Sequence, residues 1–172
     1  PEAQEEELTE TWTVHCDGAW QNEGVGIAAI LESPLRAKIR YAARLNFDQS
    51  APSTNNTTEY EALLLGLRKM KALGHQNCIV KTGSKVIADH IEKESEARKP
   101  ELIQYLEAVR AMEKHFRGFT IIHIPRAQND EADRLAKVTA RKQQLPPDVF
   151  YEEISTPSTR PKKESRINAI FS

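Results

Sequence analysis

The chain has 172 residues, a formal net charge of −1, 39% hydrophobic and 28% charged residues. This is ordinary usage for one globular domain with its own core, and it lacks the basic excess of a dedicated high-affinity nucleic-acid binder. No apolar run approaches membrane-spanning length, and the acidic start, with five Glu in its first ten residues, has none of the hydrophobic character of a signal peptide.

The first predicted element is a strand. Trp12, Val14 and Cys16 alternate with Thr13, His15 and Asp17, a period of two that places Asp17 at the polar end. After the turn signal Gln21-Asn22-Glu23-Gly24, residues 25–31 form a small-residue apolar run, read as a second strand buried on both faces. Beyond Ser33-Pro34, residues 37–45 read as a third strand, completing an antiparallel meander. Residues 46–56 look loop-like. Leu63, Leu64, Leu67 and Met70 then fall at helical spacing, with Gly74 as the helix stop. A fourth strand over 78–82, a short helix over 85–93 and a longer one opening at Pro100 follow. In the latter, Leu102, Leu106, Val109, Met112 and Phe116 share one face. A fifth strand over 119–124 and a last helix over 130–142 complete the order β-β-β-α-β-α-α-β-α, an α/β fold whose fourth and fifth strands add in parallel to the meander. Cys16 and Cys78 lie in strand-like runs and read as buried hydrophobes in a reducing, intracellular compartment. Because of Pro146, Pro147, Pro157 and Pro161, residues 145–172 read as an extended linker or tail. The expected organisation is an acidic extension over 1–10, one domain over 11–142 and a tail over 143–172.

Asp17 ends the first strand, Glu59 lies in the first turn of the first long helix, and Asp133 lies early in the last helix. Carboxylates at the ends of separate elements can converge above a sheet edge. Such hard oxygen ligands suit Mg²⁺, with Mn²⁺ as an alternative. Two such ions about 4 Å apart can hold the attacking water and the leaving oxygen of a phosphodiester displacement. Each residue also has a plainer reading. Asp17-Gly18 is a turn signal, Glu59 suits a capping box with Asn56, and Asp133 complements a helix dipole. The five histidines have no metal-ligand spacing and read as structural or solvated; Trp12 and Trp20 read as core or rim residues.

Four segments in order carry a more specific signal: Cys16-Asp17-Gly18-Ala19, Thr54-Asn55-Asn56-Thr57-Thr58-Glu59, Cys78-Ile79-Val80-Lys81-Thr82-Gly83-Ser84, and Asn129-Asp130-Glu131-Ala132-Asp133-Arg134-Leu135-Ala136. Over residues 11–142 the chain resembles ribonuclease H. The runs His123-Ile124-Pro125-Arg126 and Leu145-Pro146-Pro147-Asp148-Val149-Phe150 resemble the RNase H segment of plant Ty3/gypsy retrotransposon polyproteins. A start at Pro1 agrees with excision from a longer polyprotein.

The resemblance implies a five-stranded mixed sheet flanked by helices and Mg²⁺-dependent cutting of the RNA strand in an RNA–DNA hybrid. It implies Asp17, Glu59 and Asp133 as metal ligands. It places Asn22, Thr54, Asn55 and Asn56 near the hybrid backbone and minor groove, where 2′-hydroxyls are displayed. Ser84 and Lys85 are candidates for the same contact, with a solvated face as the alternative for Lys85. Two departures matter. The family has Asp where this chain has Gly83, between matching Thr82 and Ser84, so one metal loses an anionic anchor; Asp89 and Asp130 are the nearest substitutes. The mobile histidine of bacterial members is absent, and Arg126 is the candidate for an equivalent position. The basic helical protrusion of those members is also missing, with residues 93–100 connecting directly. Two functions are therefore expected to compete: a hybrid ribonuclease weakened or silenced at Gly83, and a non-catalytic module on the same scaffold that grips hybrid or duplex or binds a protein partner.

Overall fold

The computed structural model describes residues 10–47, 54–93 and 100–159. The acidic extension, apart from Glu10, and the direct connection read between the second and third helices lie outside the described residues.

The elements are β1 (Thr11–Gln21), β2 (Gly24–Glu32), β3 (Lys38–Leu45), α1 (Asn55–Ala72), β4 (Asn77–Thr82), α2 (Lys85–Lys93), α3 (Pro100–Glu113), β5 (Gly118–His123), a 3₁₀ turn (Arg126–Asn129), α4 (Asp130–Ala140) and β6 (Val149–Ile154). One mixed sheet runs in the order β5-β4-β1-β2-β3-β6. β1, β2 and β3 form the expected antiparallel meander. β4 adds parallel to β1, β5 parallel to β4, and β6 parallel to β3.

The expectation of five strands is corrected to six. Residues 149–154, read within a proline-rich tail, are a strand because Val149, Phe150, Tyr151 and Ile154 favour extended backbone. The flanking prolines punctuate that strand, which lies at the sheet edge. Val149 and Ile154 pack on the hydrophobic clusters of opposite sheet faces. The segment is further held by Arg40 Nη1, 2.8 Å from Asp148 Oδ2, and by a buried glutamate. Glu61, fully buried on α1, accepts hydrogen bonds from the Ser158 hydroxyl (2.6 Å), the Ser158 backbone N–H (2.9 Å) and the Tyr105 hydroxyl (2.5 Å).

Two cores flank the sheet. The larger lies beneath α1, α2 and α3 and includes Val14, Cys16, Leu63, Leu64, Leu67 and Met70. The smaller lies beneath α4, where Ala28, Ala42, Ala132, Leu135, Ala136 and Ala140 meet. β2 is buried along nearly its whole length because helices cover both faces. Small residues let α4 come close to the sheet: a Cβ on Gly26 would stand 2.5 Å from both Ala136 O and Ala140 N. Arg44 closes the far end of α4, its Nη1 donating to the carbonyls of Thr139 and Ala140 at 2.9 Å each. A cation is favoured there because the last helical carbonyls have no intrahelical partner.

Gly74, with φ +82°, follows the α1 C-cap Leu73 as expected of a helix stop. Cys16 and Cys78 are free and buried. Among the described residues no helix is long and apolar enough to cross a membrane.

Candidate active site

The cleft forms where β1 and β4 run side by side. Their parallel register pairs Cys16 with Thr82, so Asp17 and Gly83 are the next residues along each strand direction. β1 does not end at Asp17, as expected, but continues to Gln21, because its pairing with β2 extends to Gln21↔Gly24. Glu59 comes from above, on α1. Thr54 caps that helix, its hydroxyl accepting from the Thr57 N–H at 3.1 Å while the Thr57 hydroxyl accepts from the Thr54 N–H at 2.7 Å. The reciprocal cap is therefore Thr54 with Thr57. This corrects two expectations: Asn56 and Glu59 do not form the capping box, and Glu59 is the fifth helical residue rather than a first-turn one. Asp133 sits in the first turn of α4.

These elements enclose a cleft of about 410 Å³ lined by Asp17, Glu59, Gly83 and Asp133, and by Asn55, Asn56, Ser84 and Arg126 from the sequence expectations. Asn22, Thr54 and Lys85 do not line it: Asn22 lies in the exposed β1–β2 turn, Thr54 serves as a cap and Lys85 is exposed at the start of α2. Ser84 also caps α2, its hydroxyl accepting from the Ile87 N–H at 3.2 Å. Sequence reasoning missed Gly18, Trp20, Asn129 and Lys137 as lining residues. Lys137 was findable, since it lies one turn beyond Asp133 on the same helix face. Asn129 donates from Nδ2 to Cys16 O at 3.0 Å, a link to β1 that no local pattern announces.

The backbone N–H of Gly18 donates to Asp17 Oδ1 (2.9 Å) and to Glu59 Oε1 (3.1 Å). A Cβ at position 18 would lie 2.6 Å from Thr58 Cγ2, so glycine lets α1 approach β1 at the point where Glu59 enters. Burial, and then the neighbouring Asp17 carboxylate, push Glu59 well above the ordinary carboxylate range. Burial also raises Asp17, opposed by the hydrogen bond from Gly18. The two carboxylates thus share one backbone donor, the Gly18 N–H. Asp133 Oδ2 is 3.0 Å from Lys137 Nζ.

Among the described residues, no group of three or more His, Cys, Asp or Glu side chains is gathered closely enough to hold a metal ion. The three carboxylates share the cleft without forming a ready cage: Asp17 and Glu59 turn an oxygen to the Gly18 N–H, and Lys137 holds Asp133. Their chemistry nevertheless fits one hard cation. All three present carboxylate oxygens, and Glu59 Oε2 is buried with no hydrogen-bond partner. Position 83 adds no ligand. Its backbone is outside the left-handed region, and a Cβ there would lie 3.4 Å from Asn129 Nδ2 and 3.9 Å from Asp17 Oδ1, ordinary contact distances. Nothing in the backbone requires glycine. Neither substitute fills the gap. Asp89 does not line the cleft, and Asp130 pairs with Arg134 at 3.1 Å and lines a neighbouring depression.

The family model described as reverse transcriptase-like matches residues 15–139. The chain is 32% identical over 84 residues to the bifunctional protein Rv2228c of Mycobacterium tuberculosis, covering 49% of this chain and 23% of that protein. The chain thus spans about a quarter of the length of that relative. The crystal structure of RNase H1 from Halobacterium salinarum superposes with a TM-score of 0.68 at 22% identity, covering 75% of this chain and 96% of that one. LC11-RNase H1, solved in complex with an RNA/DNA hybrid, superposes with a TM-score of 0.67 at 21% identity, covering 76% and 97%. These two likenesses show the shared fold.

Proposed function

The chain belongs to the reverse transcriptase-like family and carries an RNase H-like domain, and on that premise we propose that its cleft receives an RNA–DNA hybrid and that hybrid cutting is weakened or lost through Gly83. The observation that carries this reading is the place of Gly83. It sits beside Asp17 with room for a side chain directed at the carboxylates, yet supplies no oxygen. Asp17, Glu59 and Asp133 would hold a divalent cation, Mg²⁺ or Mn²⁺. Such an ion, when bound, supplies charge stabilisation at a scissile phosphate worth several kcal/mol at similar sites. Losing one anchor therefore corresponds to several powers of ten in rate, at about 1.4 kcal/mol per tenfold.

The chain's own residues have separate tasks in this reading. Asn55 and Asn56, on the cleft wall, offer amide donors and acceptors to the sugar–phosphate backbone and to 2′-hydroxyls in the minor groove. Arg126, exposed at the mouth, offers its guanidinium to a phosphate. A retroelement origin within a larger polyprotein is part of this reading; the reverse transcriptase-like description of the matching family model agrees with it.

A second reading has its own support. The Asp133–Lys137 ion pair and the Gly18 N–H shared by Asp17 and Glu59 partner one oxygen of each carboxylate without an ion. That arrangement suits a non-catalytic module that binds hybrid or duplex, or a protein partner. Cleavage and binding of a labelled hybrid by the parent chain and Gly83→Asp separate the two. Weak cutting restored by the substitution supports the silenced nuclease. Binding without restored cutting supports the module.

A further inference from the structure

The two tryptophans have different environments. Trp12 is partly buried and stacks on His75 with ring centroids 3.9 Å apart. Trp20 is 56% exposed and lines the cleft together with Asn55 and Asn56. Strand alternation explains its position. Gly18 lies on the β1 face under α1, against Thr58, and side chains two residues apart on a strand share a face. Trp20 therefore projects from that same face one step further along β1, toward the helix start that carries Asn55 and Asn56.

The indole is a large apolar surface on an otherwise polar wall. Asn55, Asn56 and Arg126 can meet hydroxyl and phosphate oxygens, but none offers a flat apolar face to a sugar ring. An A-form-like hybrid has a wide, shallow minor groove in which sugar faces are accessible. Tryptophan covers such surface with little conformational freedom to lose.

We propose that Trp20 is a substrate-contacting residue whose indole packs on sugar faces of the strand held at Asn55 and Asn56. The inference rests on the hybrid-binding reading above and adds an apolar component to it.

The test uses the full chain and a fluorescein-labelled RNA/DNA hybrid, followed by anisotropy at low salt in EDTA. Removing an aromatic contact to nucleic acid weakens binding measurably, so Trp20→Ala should weaken binding about tenfold. Trp20→Phe, which keeps a flat apolar ring, should stay within about threefold of the parent. With unlabelled hybrid, the parent's tryptophan emission should be quenched on binding, and Trp20→Phe should lose that quenching. Parent-like binding by Trp20→Ala together with unchanged parent emission overturns the role of Trp20 and leaves the hybrid reading intact. Absence of hybrid binding by every variant overturns both. Matching melting curves exclude a folding defect, and the emission readout uses only the parent and the conservative variant.

Discussion

Gly83 stands beside Asp17, so close that a Cβ added to it would lie 3.9 Å from Asp17 Oδ1. The relationship follows from parallel pairing of β1 with β4, which brings both chain positions to the same edge of the cleft. A carboxylate introduced at position 83 would therefore be a local change on the same scaffold.

Gly83→Asp should therefore fold. The residue is exposed and its backbone conformation is open to any L-residue. Its effect should be on cation binding. Calorimetric titration with Mn²⁺ should show tighter binding than the parent by at least about tenfold, or about 1.4 kcal/mol. In EDTA the substituted chain should melt slightly below the parent, because it adds a carboxylate beside Asp17, and Mg²⁺ should reverse that order. Equal Mn²⁺ affinities would remove Gly83 from the account of the metal site.

The segment after α4 should be indispensable to the fold. Ser158→Ala removes one hydrogen bond to buried Glu61 and one from Arg68 and should cost about 1–3 kcal/mol in urea unfolding, the range for leaving a buried polar atom unsatisfied. A chain ending at Gln143 should lose more, since it also lacks the β3–β6 ladder and exposes the edge of β3. Unchanged melting of the shortened chain would show that residues 144–159 are an appendage.

Arg44→Met should destabilise the chain by about 2–3 kcal/mol in chemical denaturation, by leaving the carbonyls of Thr139 and Ala140 without their shared donor. Because α4 carries Asp133, cation affinity should fall with it.

Gly26→Ala should cost about 1–3 kcal/mol or more. The added methyl would meet backbone atoms of α4 at 2.5 Å, and backbone cannot turn aside as a flexible side chain can. A thermal melt within about 1 °C of the parent would mean that α4 does not pack against β2 as described.

Much of this fold is legible in the residues because its signals are local. The alternation of Trp12, Val14 and Cys16, the helical spacing of Leu63, Leu67 and Met70, and Gly74 at a helix stop all lie within a few residues of the structure that they specify. The sixth strand was obscured by Pro146, Pro147 and Pro157, which punctuate an edge strand as readily as a linker. The α1 cap was misassigned because Thr54 and Thr57 fit the same pattern as Asn56 and Glu59, and only the hydrogen bonds choose between them. In the site, Asp17, Glu59 and Asp133 were visible as carboxylates at matched motif positions. Asn129 was not, because its link to Cys16 O depends on how closely the start of α4 approaches β1. Glu61 was hidden for the same reason: its partners Tyr105 and Ser158 are distant in sequence.

A hybrid-cutting site disabled at one position has a direct kinetic signature. The most direct measurement is the initial rate of RNA-strand cleavage in a labelled RNA–DNA hybrid with Mg²⁺ and with Mn²⁺. It compares the parent, Gly83→Asp, and Gly83→Asp with Asp17→Asn. The parent should cut little or not at all, Gly83→Asp should gain several powers of ten in rate, and adding Asp17→Asn should remove that gain. A parent that already cuts as fast as Gly83→Asp would contradict a site disabled at Gly83.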